Sequence, residues 1–142
     1  MNHSNPSAAI ENLLAAQQRG FSLRPQIGGF PVLAEALREA GIRFNEWFLP
    51  SASCTYVTDL GPVAFQGKPL IEGAAPIAEF NPQALVAAIV ADQAGETTFA
   101  EFLHAAWRAG VVRYMVDFGA RTVTYFGVDG SNHAEAYSAV EL

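Results

Sequence analysis

Apolar positions along this chain fall into alternating blocks of helical and strand period. Ile10, Leu13, Leu14 and Gln17 follow helical spacing; Asn5 is the expected N-cap, Pro6 the first helical residue, and Gly20 the stop. Residues 21–29 then read as a connector. A second helix starts near Pro31, buries Val32, Leu33, Ala36, Leu37 and Ala40, and ends at Gly41. Ile42 to Leu49 reads as a strand with Ile42, Phe44, Glu46 and Phe48 on its buried face. Pro50-Ser51-Ala52 turns the chain into a return strand, Ser53 to Thr58, and Pro62 to Gln66 is a third. Asn81-Pro82 opens a third helix with Leu85, Val86, Ile89 and Val90 as its stripe. Thr98 and Glu101 have capping-box spacing and open a fourth, with Phe99, Phe102, Leu103, Ala106 and Trp107 on one side. After Gly110, Val111 to Phe118 is a strand, Gly119-Ala120 suits a type II′ hairpin, and Arg121 to Gly127 returns. Asp129-Gly130 signals another hairpin, with a last strand within Asn132 to Val140.

The order of these elements repeats. Phe30 to Tyr56 and Phe99 to Tyr125 align without a gap at a spacing of 69, with identities Phe30/Phe99, Ala36/Ala105, Ala40/Ala109, Gly41/Gly110, Thr55/Thr124 and Tyr56/Tyr125. The expected fold class is α+β: an antiparallel sheet of about six strands with about four helices packed on it, in two helix–hairpin halves. Residues 1–142 are expected to form one domain, divided into an N-terminal helix and connector (1–29), a first half (30–66), an apolar connector (67–80) and a second half (81–142). At the 69-residue register Phe44 falls opposite Arg113, whereas a slip to 70 matches Phe44 with Tyr114 and Phe48 with Phe118. That predicts a slip within the hairpin, and two copies that do not superpose strand for strand.

Composition narrows the function classes. Hydrophobic residues make up 51% and charged residues 15%, and the 25 alanines account for much of the apolar balance. Residues 1–71 carry five basic and five acidic side chains; residues 72–142 carry three and nine, which places the whole net charge of −6 in the second half. With one lysine and seven scattered arginines, the chain lacks the cationic surface of a nucleic-acid or anionic-membrane binder. No window approaches the ~18–20 apolar residues that span a bilayer, and Met1 to Pro6 has no signal-peptide character, so a cytoplasmic location is expected. The apolar segment 67–80, containing Leu70, Ile71, Ile77 and Phe80, is expected to pack flat on the sheet or on a second subunit.

Candidate chemistry is sparse. Cys54 is the single cysteine and falls opposite Val123 in the repeat, which favours a packed apolar slot over a nucleophile. Glu101 and His104 form an E-x-x-H pair, but no second copy exists and Arg108 lies one turn on, so an exposed helix face is favoured over a metal centre. Asp129 is explained by its turn, and His133 and Glu135 are placed on the solvent face of the last strand. Glu46 and Asp117 each interrupt an apolar strand. A buried Glu46 needs a partner, for which Arg43, Arg113 or a tyrosine hydroxyl are available, and Asp117 shares a side with Arg113. No P-loop, dinucleotide fingerprint, G-x-S-x-G or H-E-x-x-H pattern is present. No catalytic residue, metal site or cofactor is assigned.

The stretch from Phe30 to about Gly130 resembles the YbcV/YdfO-like family of small bacterial proteins of unknown function, sometimes labelled phage envelope proteins. The resemblance rests on Ala40-Gly41-Ile42, Glu46, Phe48 and Tyr56 in the first half. In the second it rests on Gln93-x-Gly95, Phe99-x-x-Phe102, Ala109-Gly110-Val111, Val116-Asp117 and the run from Thr124-Tyr125 to Asp129-Gly130. It implies a compact α+β domain and no established substrate, cofactor or catalytic residue. Family members carry an acidic-glycine-histidine-threonine turn where this chain has Ser51-Ala52-Ser53-Cys54, so any activity that depends on that histidine is expected to be absent.

Two functional expectations follow. The first is a non-enzymatic protein-interaction or regulatory module, self-associating as a homodimer or meeting another protein. The second is a small-ligand-binding or enzymatic domain with a pocket between helices and sheet, lined by Glu46, Tyr56, Asp117 and Tyr125.

Overall fold

A computed structural model of the chain describes residues 6–27 and 29–142; the Asn5 cap and Gly28 lie outside the described residues. Among the described residues the elements are α1 (Pro6–Ile27), α2 (Gly29–Glu39), β1 (Ile42–Phe48), β2 (Ser53–Thr58), β3 (Val63–Gln66), α3 (Pro82–Gln93), α4 (Phe99–Arg108), β4 (Arg113–Asp117), β5 (Thr122–Phe126) and β6 (Asn132–Ala136). The strands form one antiparallel sheet in the order β3-β2-β1-β4-β5-β6, with the helices on one face, so the fold is α+β. No helix among the described residues is long and apolar enough to cross a membrane.

The helix starts behave as their side chains predict. Asn81 Oδ1 accepts the Ala84 N–H at 3.0 Å with Pro82 at the first position, and Thr98 and Glu101 form the reciprocal capping box. The first helix does not. It runs past Gly20 and Pro25 to Ile27, which turns most of the expected 21–29 connector into helix. A Cβ at Gly20 would stand 2.5 Å from Leu33 Cδ1 and 3.0 Å from Leu33 Cα. Glycine here lets α1 lie close against α2, and that packing outweighs a helix-propensity penalty of about 1 kcal/mol. Ala9, Leu13 and Ala16 share the buried stripe, whereas Ile10 and Leu14 are exposed.

The first strand reverses its expected face. A β-bulge between Ile42 and Phe44 inserts one residue, since Ile42 pairs with Thr58 and Phe44 with Val57. Beyond it Asn45, Trp47 and Leu49 point toward the helices, and Phe44, Glu46 and Phe48 lie on the helix-free face. Glu46 is therefore not a core carboxylate. Its side chain is 46% exposed and accepts from Arg113 Nη1 at 3.1 Å, while the Arg113 guanidinium lies 3.8 Å from the Phe126 ring centroid.

The repeat holds at 69 residues through the first two strands of each half, and the expected slip in the first hairpin does not occur. Buried equivalents are Ile42/Val111, Asn45/Tyr114, Trp47/Val116, Leu49/Phe118, Cys54/Val123 and Tyr56/Tyr125. Gly41 and Gly110 share φ values of 86° and 88°. Both hairpin loops have four residues, 49–52 and 118–121, and the left-handed position falls on Ala52 (φ 51°) and Arg121 (φ 57°), not on Gly119. Equal loops keep the register. The Leu49 N–H to Val112 O bond (2.8 Å) mirrors Phe118 N–H to Arg43 O (3.0 Å), and the equivalents Glu46 and Met115 face each other across β1 and β4 on the pseudo-dyad. The slip lies in the outer hairpins instead: Ser53 pairs with Gln66, but its equivalent Thr122 pairs with Ala136 rather than Glu135.

Residues 67–80 are pinned at both ends. Gly67 N and Leu70 N donate to Ala52 O and Pro50 O at the first hairpin, and Phe80 packs on Gly127. Between them, residues 72–79 are exposed, so the segment does not lie flat on the sheet.

Candidate functional site

The four residues expected to share a pocket are divided between the two faces of the sheet. Glu46 and Asp117 lie on the helix-free face, where Asp117 Oδ1 accepts the Ala120 N–H at 2.9 Å and closes the hairpin loop. Tyr56 and Tyr125 lie on the helix-covered face, in the first and second halves respectively. His133 and Glu135 also differ from expectation. They stand opposite Tyr125 and Val123 on the helix-covered side, half-buried, with His133 Nε2 3.5 Å from Glu135 Oε2. Cys54 is buried on that side, and desolvation pushes its thiol up to about 12, which removes it as a nucleophile near neutral pH. Glu101 spends its carboxylate on the cap, accepting from Thr98 N at 2.8 Å.

A cavity of about 650 Å³ opens between the helices and the first half of the sheet. Gln17 and Phe21 come from α1, Leu33 and Leu37 from α2, Asn45 and Trp47 from β1, Tyr56 from β2 and Phe65 from β3. Phe99, Leu103 and His104 come from α4 and Tyr114 from β4, and residues 67–72 of the connector close one side. Several of its aromatic rings meet at tilts, with Trp47–Phe99 centroids 5.4 Å apart at 62° and Phe21–Phe99 5.8 Å at 59°, whereas Trp47 lies closer to parallel with Tyr114, 6.4 Å away at 23°.

Polar groups in the buried part of this wall are few and neutral. Gln17 Nε2 donates to the Tyr56 hydroxyl at 3.2 Å. Burial pushes the phenols of Tyr56 and Tyr114 well above their ordinary range, so both stay protonated at physiological pH. The Tyr114 hydroxyl has no hydrogen-bond partner among the described residues, and the Asn45 carboxamide, on a residue 5% exposed, belongs to the same wall. Lys68, Glu72 and His104 are exposed. Sequence reasoning missed Asn45, Trp47 and Tyr114 as wall residues. The signal that finds them is the repeat in its plain 69-residue register, which makes Asn45 and Tyr114 equivalents.

The corresponding volume in the second half is filled. Under β5 and α3, Phe102, Val123, Tyr125, Ile89 and Tyr137 leave only about 10 Å³. Phe102 replaces Leu33 at the equivalent position and meets the Tyr125 ring at a centroid distance of 6.3 Å.

Residues 24–135 match the family described as "Protein of unknown function (DUF1398)". The chain belongs to that family. Within the DUF1398 match fall all wall residues of the cavity named above except Gln17 and Phe21, which α1 supplies. The chain is also 55% identical over 135 residues to "Uncharacterized protein Rv2012" of Mycobacterium tuberculosis, covering 95% of this chain and 82% of that protein. "Uncharacterized protein Mb2035" of Mycobacterium bovis matches with the same identity and coverage.

Proposed function

We propose that this DUF1398 protein binds a small organic molecule in the cavity between the helices and the first half of the sheet. The observation that carries the reading is the contrast between the halves: one framework, used twice, is packed solid in one copy and hollow in the other. The framework therefore does not require the void, and leaving apolar walls uncovered forfeits packing and transfer free energy. The volume lies within the range of small-molecule sites, and apolar walls with a few polar groups are their usual composition. The wall pairs no nucleophile with a base, which favours binding over catalysis. The phage label carried by the resembling family does not bear on this chemistry.

Phenylnaphthylamine, a neutral fluorophore, tests the reading. It should bind saturably at one site and quench Trp47, and Ala100→Trp at the cavity wall should abolish binding without lowering the melting temperature. Absence of saturable binding to the folded wild type would overturn it.

A second reading, self-association as a homodimer, is favoured by the helix-free face of the sheet. Phe44, Phe48, Val57 and Met115 are each 44–48% exposed there. Glu46 and Arg113 neutralise each other on the same face, so two copies can stack sheet on sheet without charge repulsion. Sedimentation at micromolar concentration should show a dimer that Met115→Lys converts to a monomer; a monomeric wild type would remove this reading.

A further inference from the structure

We infer that the cavity selects an uncharged, flat aromatic compound bearing a carbonyl group, with the Tyr114 hydroxyl and the Asn45 carboxamide as its polar contacts. The inference rests on the ligand-binding reading above and specifies its chemistry. Three observations carry it. The first is a buried polar side chain without a partner, the Tyr114 hydroxyl, with the Asn45 carboxamide in the same wall. Tyr114 is 1% exposed and Asn45 5%, and both belong to the wall of the same cavity. Buried polar groups are normally hydrogen-bonded, and each that is not calls for a reason. Asn45 stands at the repeat-equivalent position on the neighbouring central strand, so one ligand can reach both.

The second is their placement. Trp47 pairs with Tyr114 and Asn45 with Val116, so Asn45 and Tyr114 stand on the diagonal of adjacent strands, roughly 7–8 Å apart at their backbones. Both residues line the same cavity. Tyr114 offers a donor, and Asn45 offers a donor and an acceptor. A carbonyl oxygen satisfies either donor, and an amide N–H beside it satisfies the remaining acceptor.

The third is charge and shape. The ionised side chains of the wall are Lys68 and Glu72, opposite in sign and both exposed, so the interior offers no counter-ion to an anion or a cation. A charge carried inward would be desolvated without compensation. The rings of Phe21, Trp47, Phe65 and Phe99 give the wall aromatic surface against which a planar body can pack.

Three fluorophores separate these features: prodan, a neutral naphthyl ketone; phenylnaphthylamine, neutral without a carbonyl; and anilinonaphthalene sulfonate, an anion. Wild-type protein should bind prodan most tightly and the sulfonate least. Tyr114→Phe and Asn45→Ala should each weaken prodan about tenfold, the effect of one lost hydrogen bond, and leave phenylnaphthylamine unchanged. Tyr114→Phe should melt no lower than wild type, because it removes a group that has no partner in the free protein. If neither substitution changes prodan affinity, if both weaken phenylnaphthylamine equally, or if the sulfonate binds as tightly as prodan, the ligand class is overturned while the cavity remains a binding site. If none of the three probes binds, the binding reading fails with it.

Discussion

Glu35 is the most informative single position for stability, because one buried carboxylate joins a helix of the first half to a hairpin of the second. It is 4% exposed and accepts from Arg38 Nε at 2.9 Å, from Arg38 Nη2, and from Arg121 Nη2 at 3.2 Å. Arg121 holds the left-handed position of the β4–β5 loop. Breaking a fully buried ion pair costs about 3–5 kcal/mol, largely from the charge left behind. Here the arginine side chains are 39% and 29% exposed and partly solvated, so Glu35→Gln should cost about 2–3 kcal/mol. For a chain of this size that lowers the melting temperature by roughly 5–10 °C. The pH dependence gives a second reading of the same contact. The Arg38 hydrogen bond, assisted by Arg121 and opposed by burial, holds the Glu35 carboxyl below its ordinary 4.5. The unfolded chain therefore takes up this proton first as the pH falls. The contribution is complete above 4.5 and is lost as the pH drops through the depressed folded value. Urea unfolding of wild type and Glu35→Gln at neutral pH and near pH ~3 should show the gap closing toward acid. A neutral-pH difference below about 0.5 kcal/mol, within the range of an ordinary surface substitution, would refute the reasoning. So would a gap that persists in acid.

Three further outcomes follow from burial and backbone geometry. All four tyrosines, at 56, 114, 125 and 137, are buried, and desolvation is the leading cause raising each phenol above 10. Their neutral state stabilises the fold fully below the unfolded value, and stability falls as the pH rises past it by about 1.4 kcal/mol per unit and group. Phenolate absorbance should therefore appear in one cooperative step with loss of circular dichroism; independent titration near pH ~10 in the folded state would contradict this. Cys54 should react with a thiol reagent only at the rate of unfolding, since its thiol is buried and pushed up to about 12; prompt native-state modification would show the slot to be open. Gly110→Ala and Gly41→Ala impose similar strain, at φ 88° and 86°, but different contacts. A Cβ at Gly110 would meet Glu79 O at 2.5 Å and Phe80 Cα at 2.6 Å, whereas at Gly41 it meets Asp59 Oδ2, a movable side chain, at 2.9 Å. Denaturant melts should find Gly110→Ala the costlier by about 1–3 kcal/mol, the usual penalty of overpacking; equal losses would leave strain alone as the cause.

Local signals were legible wherever the decisive partner is near in sequence. The capping box of α4, the Asn81-Pro82 start of α3 and the four helix–six strand order depend on neighbours a few residues apart, and all are present. The site was not legible in that way. Alternation assigned Phe44, Glu46 and Phe48 to the core, because a single inserted residue at Arg43 leaves no mark in the apolar pattern yet exchanges every later side chain between faces. That exchange sent Glu46 to the open face and brought Asn45 and Trp47 under the helices. Gly20 misled for a related reason: its role is set by Leu33 across the helix pair, not by the residues beside it.

By itself, the sequence determined the number and order of the secondary elements, the α+β class and the duplicated order of the halves, because caps and periodicity are short-range physics. Only the tertiary structure decided that the duplication is a pseudo-dyad through Glu46 and Met115, and that one half is solid and the other hollow. Hollow or solid depends on how side chains from α1, α2, α4 and β1 to β4 fill a shared volume. That sum over distant positions has no period along the chain.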